Sequence, residues 1–100
     1  MTVEFLYWAG CPSHPEAREL LEGVLQARGV DVAIDVREVR TQEDARELAF
    51  PGSPTIRVDG RDVDPVGAEE PPSLSCRIYR LPNGRVSPVP TREQIEEALQ

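Results

Sequence analysis

The run Val3-Glu4-Phe5-Leu6-Tyr7-Trp8 constrains this chain more than any other segment. It is dense in β-formers and apolar on both faces, which is the pattern of a central strand covered from two sides. Ala17, Leu20, Leu21, Val24 and Leu25 follow at helical spacing, and Gly29 suits the residue just past the helix end. Val30, Val32, Ile34 and Val36 then alternate with Asp31, Ala33, Asp35 and Arg37, predicting a half-buried strand over 30–37. A strand, a helix and a second strand in that order call for a right-handed parallel crossover.

The rest of the chain adds shorter elements. Thr41 with Asp44 three residues on predicts a helix start with Asp in the acidic place, and Pro51-Gly52 stops that helix. Residues 54–58 read as a third strand, and Asp59-Gly60 is a two-residue hairpin signal that returns 61–64 antiparallel. Asp62 and Asp64 on that return either end near the Cys11 site or, as the favoured reading, are solvated strand-end carboxylates. Pro65, Gly67, Pro71 and Pro72 make 65–75 a loop. Cys76–Arg80 reads as a fifth, edge-like strand, with a turn at 82–84 and a return over 85–89. Thr91 with Gln94 is a capping box for a last helix carrying Ile95, Ala98 and Leu99. At 100 residues the chain is expected to be one domain, 1–100.

Charge narrows the partners. Net charge is −7, and a nucleic-acid or anionic-membrane partner needs a basic footprint that this balance lacks. No 18-residue apolar run and no basic stretch before an apolar one is present, so neither a membrane span nor a signal peptide is expected. These features predict a cytoplasmic protein. Two cysteines in a reducing compartment point to redox or metal chemistry more than to a structural staple.

Cys11 stands where the first strand gives way to the first helix, in Trp8-Ala9-Gly10-Cys11-Pro12-Ser13-His14. Pro12 suits the first helical position, where a missing N–H costs nothing. Free N–H groups at a helix start favour negative charge, and such positions bring a thiol pKa down to roughly 3.5–7.5. Cys11 is therefore the candidate nucleophile, against the plain alternative of a small residue filling the junction. His14 lies one helical turn on. Charged, it stabilises a thiolate; neutral, it relays a proton or ligates metal; the plain alternative is a solvated first-turn histidine. Cys76 is either a second redox thiol or a structural cysteine at a strand start. No phosphate-binding glycine loop, paired metal-binding C-x-x-C or Ser-His-Asp spacing appears.

Three features together resemble the thioredoxin-fold (thioredoxin/glutaredoxin-like) superfamily. They are the strand Val3–Trp8 running into Trp8-Ala9-Gly10-Cys11-Pro12, the segment Ser53-Pro54-Thr55-Ile56-Arg57-Val58-Asp59-Gly60, and the element order to about residue 65 and again in the last helix. The resemblance implies an α/β fold: a thioredoxin-like three-layer α/β/α with a mixed four- to five-stranded sheet and an extra hairpin before the last helix. It implies a cis peptide before Pro54, with the Ser53 backbone offered to an extended substrate segment and Trp8 at the core or rim of the same site. It also implies thiol–disulfide exchange on protein or low-molecular-weight disulfides, with Cys11 as nucleophile, Cys76 or an external thiol resolving the mixed disulfide, and no cofactor. One departure is plain: Cys11-Pro12-Ser13-His14 carries histidine where the family's C-x-x-C has its second cysteine. Two other readings stay open. One is a soft-metal site for mercury, zinc or copper(I) on Cys11, His14 and Cys76. The other is a binding module without turnover.

Overall fold

A computed structural model describes residues 1–100. The elements are β1 (Val3–Tyr7), α1 (His14–Ala27), β2 (Ile34–Glu38), α2 (Gln42–Glu47), β3 (Thr55–Val58), β4 (Arg61–Asp62), a 3-10 turn (Gly67–Glu69), β5 (Tyr79–Arg80), β6 (Val86–Ser87) and α3 (Arg92–Ala98). Four strands form one mixed sheet in the order β2-β1-β3-β4. β1 pairs parallel with β2 and antiparallel with β3, and β3 pairs antiparallel with β4. β5 and β6 make a separate two-stranded hairpin. The chain is a small α/β protein, and no helix is long and apolar enough to cross a membrane.

The central position of β1 follows from its sequence. Successive side chains of a strand point to opposite faces. Val3 and Phe5 enter a core with Leu21, Val24 and Leu25 of α1 and Ile95 and Leu99 at α3. Leu6 enters a second cluster with Val39, Ala45 of α2 and Phe50. β1 thus has apolar cover on both faces, as its two-sided hydrophobicity requires.

Several boundaries move from their expected places. β2 begins at Ile34 rather than residue 30, because its ladder starts where Val3 stands opposite Ile34. Val30 and Val32 still pack against the core without a strand partner; alternation reports burial, not pairing. α1 begins at His14, with Ser13 as N-cap, so Pro12 lies ahead of the helix and Pro15 occupies its first turn. Cys11 is therefore two residues before the cap. Gly29 takes φ +66 as the residue ending α1, as expected. At α2, Thr41 Oγ1 accepts from the Asp44 amide at 3.0 Å, whereas the capping box at Thr91–Gln94 makes both of its bonds. Asp59 and Gly60 both take positive φ, as the tight hairpin turn demands. The strand expected over 76–80 shortens to Tyr79–Arg80 and does not join the main sheet; upstream of it, Cys76 makes a single parallel bridge with Ser53. Residues 61–64 likewise give only a two-residue β4.

Candidate functional site

The site is built around Ser53, at the start of the segment that becomes β3. The Ser53–Pro54 peptide is cis. Ser53 is fully buried and each of its polar groups is engaged. Its hydroxyl accepts from the Trp8 amide at 3.0 Å. Its amide donates to the Ser75 carbonyl at 2.8 Å, and its carbonyl accepts from the Arg77 amide at 2.7 Å. The expected free Ser53 backbone is thus already bonded, by the chain's own segment 75–77, which runs beside it as a strand would.

Cys11 arrives from the other side. Its amide donates to the Trp8 carbonyl at 3.0 Å, closing a turn over 8–11 ahead of α1. A Cβ on Gly10 would run into the Trp8 indole, so only glycine lets this turn pack beneath the ring. The Cys11 sulfur has no accessible surface. It lies 3.0 Å from Ser13 Oγ and 3.4 Å from the Ser53 carbonyl oxygen. Both cysteines are free thiols, and Cys76 is exposed.

The two sulfurs differ in acidity for physical reasons. Burial pushes the Cys11 thiol up, but hydrogen bonds from the Ser13 hydroxyl, the Ser13 amide, the Cys76 thiol and the Ser53 hydroxyl together bring it below the ordinary thiol value. The Cys76 thiol is pushed up, first by its hydrogen bond with Cys11, then by burial and by the Cys11 charge. Of the two thiols, Cys11 is the one that gives up its proton more readily.

His14 takes a different place. Its ring stacks on Tyr7, with centroids 4.6 Å apart and planes at 31°. None of the hydrogen bonds that lower Cys11 comes from it. Cys11, His14 and Cys76 do not come together as a three-donor metal set. Activation comes instead from Ser13, between the two, whose role at this spacing is the ordinary one of a helix cap with its hydroxyl free to turn to the sulfur.

A second group of residues fixes Cys76 in place. Arg77 is buried, and its guanidinium reaches Asp62 through Nη1 at 2.9 Å and Nη2 at 2.8 Å. It also donates to Thr55 Oγ1 at 3.1 Å and to the Asp64 carbonyl at 3.1 Å, and lies 4.5 Å above the Tyr79 ring. The Tyr79 hydroxyl donates to the Pro54 carbonyl at 2.6 Å, and burial pushes it well above its ordinary pKa. Gly52, at φ +133, lets the Arg77 backbone pass within 3.2 Å of where a Cβ would sit. Asp62 is thus no solvated carboxylate: its side chain is 6% exposed, because it is the partner that makes burial of Arg77 tolerable. Cys-Arg-x-Tyr opposite a strand-end Asp is the signal that could have suggested this, but pairing a buried arginine needs the three-dimensional register.

Beside Cys76 opens a cavity of about 730 Å³, whose wall includes Asp64, Glu70, Arg77, Ile78 and Arg80. No protein-family model, curated protein or solved structure matches this chain.

Proposed function

We propose that the chain is a thioredoxin-fold thiol–disulfide oxidoreductase with Cys11 and Cys76 as its redox couple. The observation that carries this reading is the pair of free thiols that meet at Ser53: the Cys11 sulfur lies 3.4 Å from the Ser53 carbonyl oxygen, and Cys76 makes the parallel bridge with Ser53. The parallel β1–β2 crossover, the β3–β4 hairpin and the cis peptide before Pro54 support the fold assignment. Residues 66–90 lie outside a minimal fold of that kind, and they deliver the second cysteine.

Chemically, the dithiol gives two electrons to a disulfide. The substrate leaves as two thiols, and the protein closes a Cys11–Cys76 bond. In the reverse direction an external thiol opens that bond, and Cys11 departs as the better leaving group because its thiolate is the more stable. A reducing cytoplasm, which returns such a pair to the dithiol form, fits this role.

The test is turnover of a small test disulfide under a glutathione couple, with the thiol state read by alkylation and intact mass. The wild type should cycle through an internal disulfide, and Cys11→Ser should abolish turnover. A Cys11→Ser protein that turns over at the wild-type rate ends the proposal.

A second reading draws on the same two sulfurs. Two adjacent thiols without a third donor suit a linear soft cation such as mercury(II) or copper(I) better than tetrahedral zinc. Anaerobic equilibrium dialysis against copper(I) decides it: no uptake at micromolar metal removes that reading.

A further inference from the structure

We infer that Cys76, not Cys11, is the sulfur that carries the substrate, and that the cavity beside it holds one half of a low-molecular-weight zwitterionic disulfide. This rests on the oxidoreductase reading and assigns the order of its steps and its substrate class.

Access is the first ground. The Cys11 sulfur has no accessible surface, whereas Cys76 is exposed and forms part of the cavity wall. A sulfur that must touch an incoming disulfide has to be reachable, and only one of the two is.

The Ser53 edge is the second ground. Its amide and carbonyl are taken by Ser75 and Arg77, and the Arg77–Asp62 pair pins that segment down. An extended protein segment finds no free main-chain partner there. A small molecule needs none.

Charge and size are the third ground. Arg80 and Glu70 border the cavity, and neither takes part in any ion pair of the structure. Arg77, by contrast, is neutralised by Asp62. Asp64, also on the wall, is likewise in no ion pair, so one unpaired cation and two unpaired carboxylates face a ligand that carries both a carboxylate and an ammonium group. The volume of about 730 Å³ falls in the range of roughly 300–1,000 Å³ usual for small-molecule sites. The other sizeable cleft, about 540 Å³ along α1 near Gly29, holds no thiol.

The steps balance. Cys76 attacks one sulfur of the disulfide as its proton passes to the neighbouring Cys11 thiolate. The substrate S–S bond breaks, and the first half leaves as a thiolate that takes the proton back from Cys11. The restored Cys11 thiolate attacks the Cys76 sulfur of the mixed disulfide, expelling the second half as a thiolate. The protein loses two electrons and one S–S bond is formed for the one broken. Cys11 is thus the nucleophile of the internal step, shielded from everything except its partner.

Glutathione disulfide is a suitable probe. Reduced Cys11→Ser and Cys76→Ser proteins are exposed to it, quenched with acid, and followed by intact mass. Cys11→Ser should accumulate a glutathionyl adduct on Cys76, and Cys76→Ser should stay unmodified over the same time. Peptide mapping of wild type after a brief substoichiometric exposure should place the adduct on Cys76, a result that needs no variant to fold. An adduct forming on Cys11 as fast in Cys76→Ser overturns the assignment. The dithiol reading then survives if the wild type still closes its internal disulfide, and falls only if that closure fails. For the cavity, Arg80→Glu should lower the rate with glutathione disulfide relative to uncharged 2-hydroxyethyl disulfide by roughly two- to fivefold, the scale of one exposed charge pair. An unchanged ratio overturns the cavity's role, and faster reaction with a protein disulfide than with either small probe overturns the substrate class.

Discussion

At the scale of single residues, the site turns on how a buried sulfur is kept acidic. Burial alone would hold the Cys11 proton on; hydrogen bonding, foremost from Ser13, reverses that. Ser13→Ala removes the hydroxyl 3.0 Å from the sulfur and should raise the Cys11 pKa. Ultraviolet thiolate absorbance against pH checks this; a Ser13→Ala midpoint at or below that of wild type would refute the account. Linkage gives a matching sign for stability. With Cys11 below its ordinary thiol value in the folded state, the unfolded chain binds more protons there between the two values. Its contribution is complete above the unfolded pKa and is lost as pH falls through the folded one. The place of Cys11 between an apolar strand and a helix was legible in the sequence. Its activating partner was not, because His14 and Ser13 are equally near in sequence and only the turn geometry sends His14 to Tyr7.

At the scale of elements, periodicity revealed the long pieces and register decided the short ones. β1, α1 and the α3 capping box were legible because each carries a repeated or reciprocal signal. The segment 75–77 was not, since a single bridge leaves no pattern. What holds that segment is the Arg77–Asp62 pair, whose side chains are 3% and 6% exposed. Asp62→Asn leaves the guanidinium buried without its counter-charge, and removing one partner of such a pair costs about 3–5 kcal/mol. Asp62→Asn combined with Arg77→Met removes both charges and should recover much of that loss. Urea unfolding of the two variants measures this. A double variant no more stable than Asp62→Asn would mean that Arg77 acts through packing on Tyr79 rather than through charge. The single variant should also slow disulfide closure, because Cys76 directly precedes the residue that is freed.

At the scale of the whole molecule, the proposed couple joins distant parts of the chain. Cys11 precedes α1, and Cys76 lies ahead of the β5–β6 hairpin, so a bond between them would close most of the chain into one loop. By chain entropy alone, a loop of this length stabilises the folded state by about 4 kcal/mol. The reduced protein has its own stabilisation to set against this, since the donors around the Cys11 thiolate lose their charged acceptor when the bond forms. Each unit by which the thiol pKa lies below its unfolded value is worth about 1.4 kcal/mol to the reduced state once the thiolate is populated. Oxidation should therefore stabilise the protein by less than about 4 kcal/mol at a pH where the Cys11 thiolate is populated, and the gain should grow as pH is lowered and the thiolate is lost. Urea unfolding of the oxidised and reduced forms across this pH range gives the difference directly. A gain that shrinks with falling pH would show that the thiolate contributes nothing to the reduced state. A gain that grows as expected would mean that the hydrogen bonds at Cys11 also raise the reduction potential of the proposed couple, tying the acidity of one sulfur to the direction in which such a couple would move electrons.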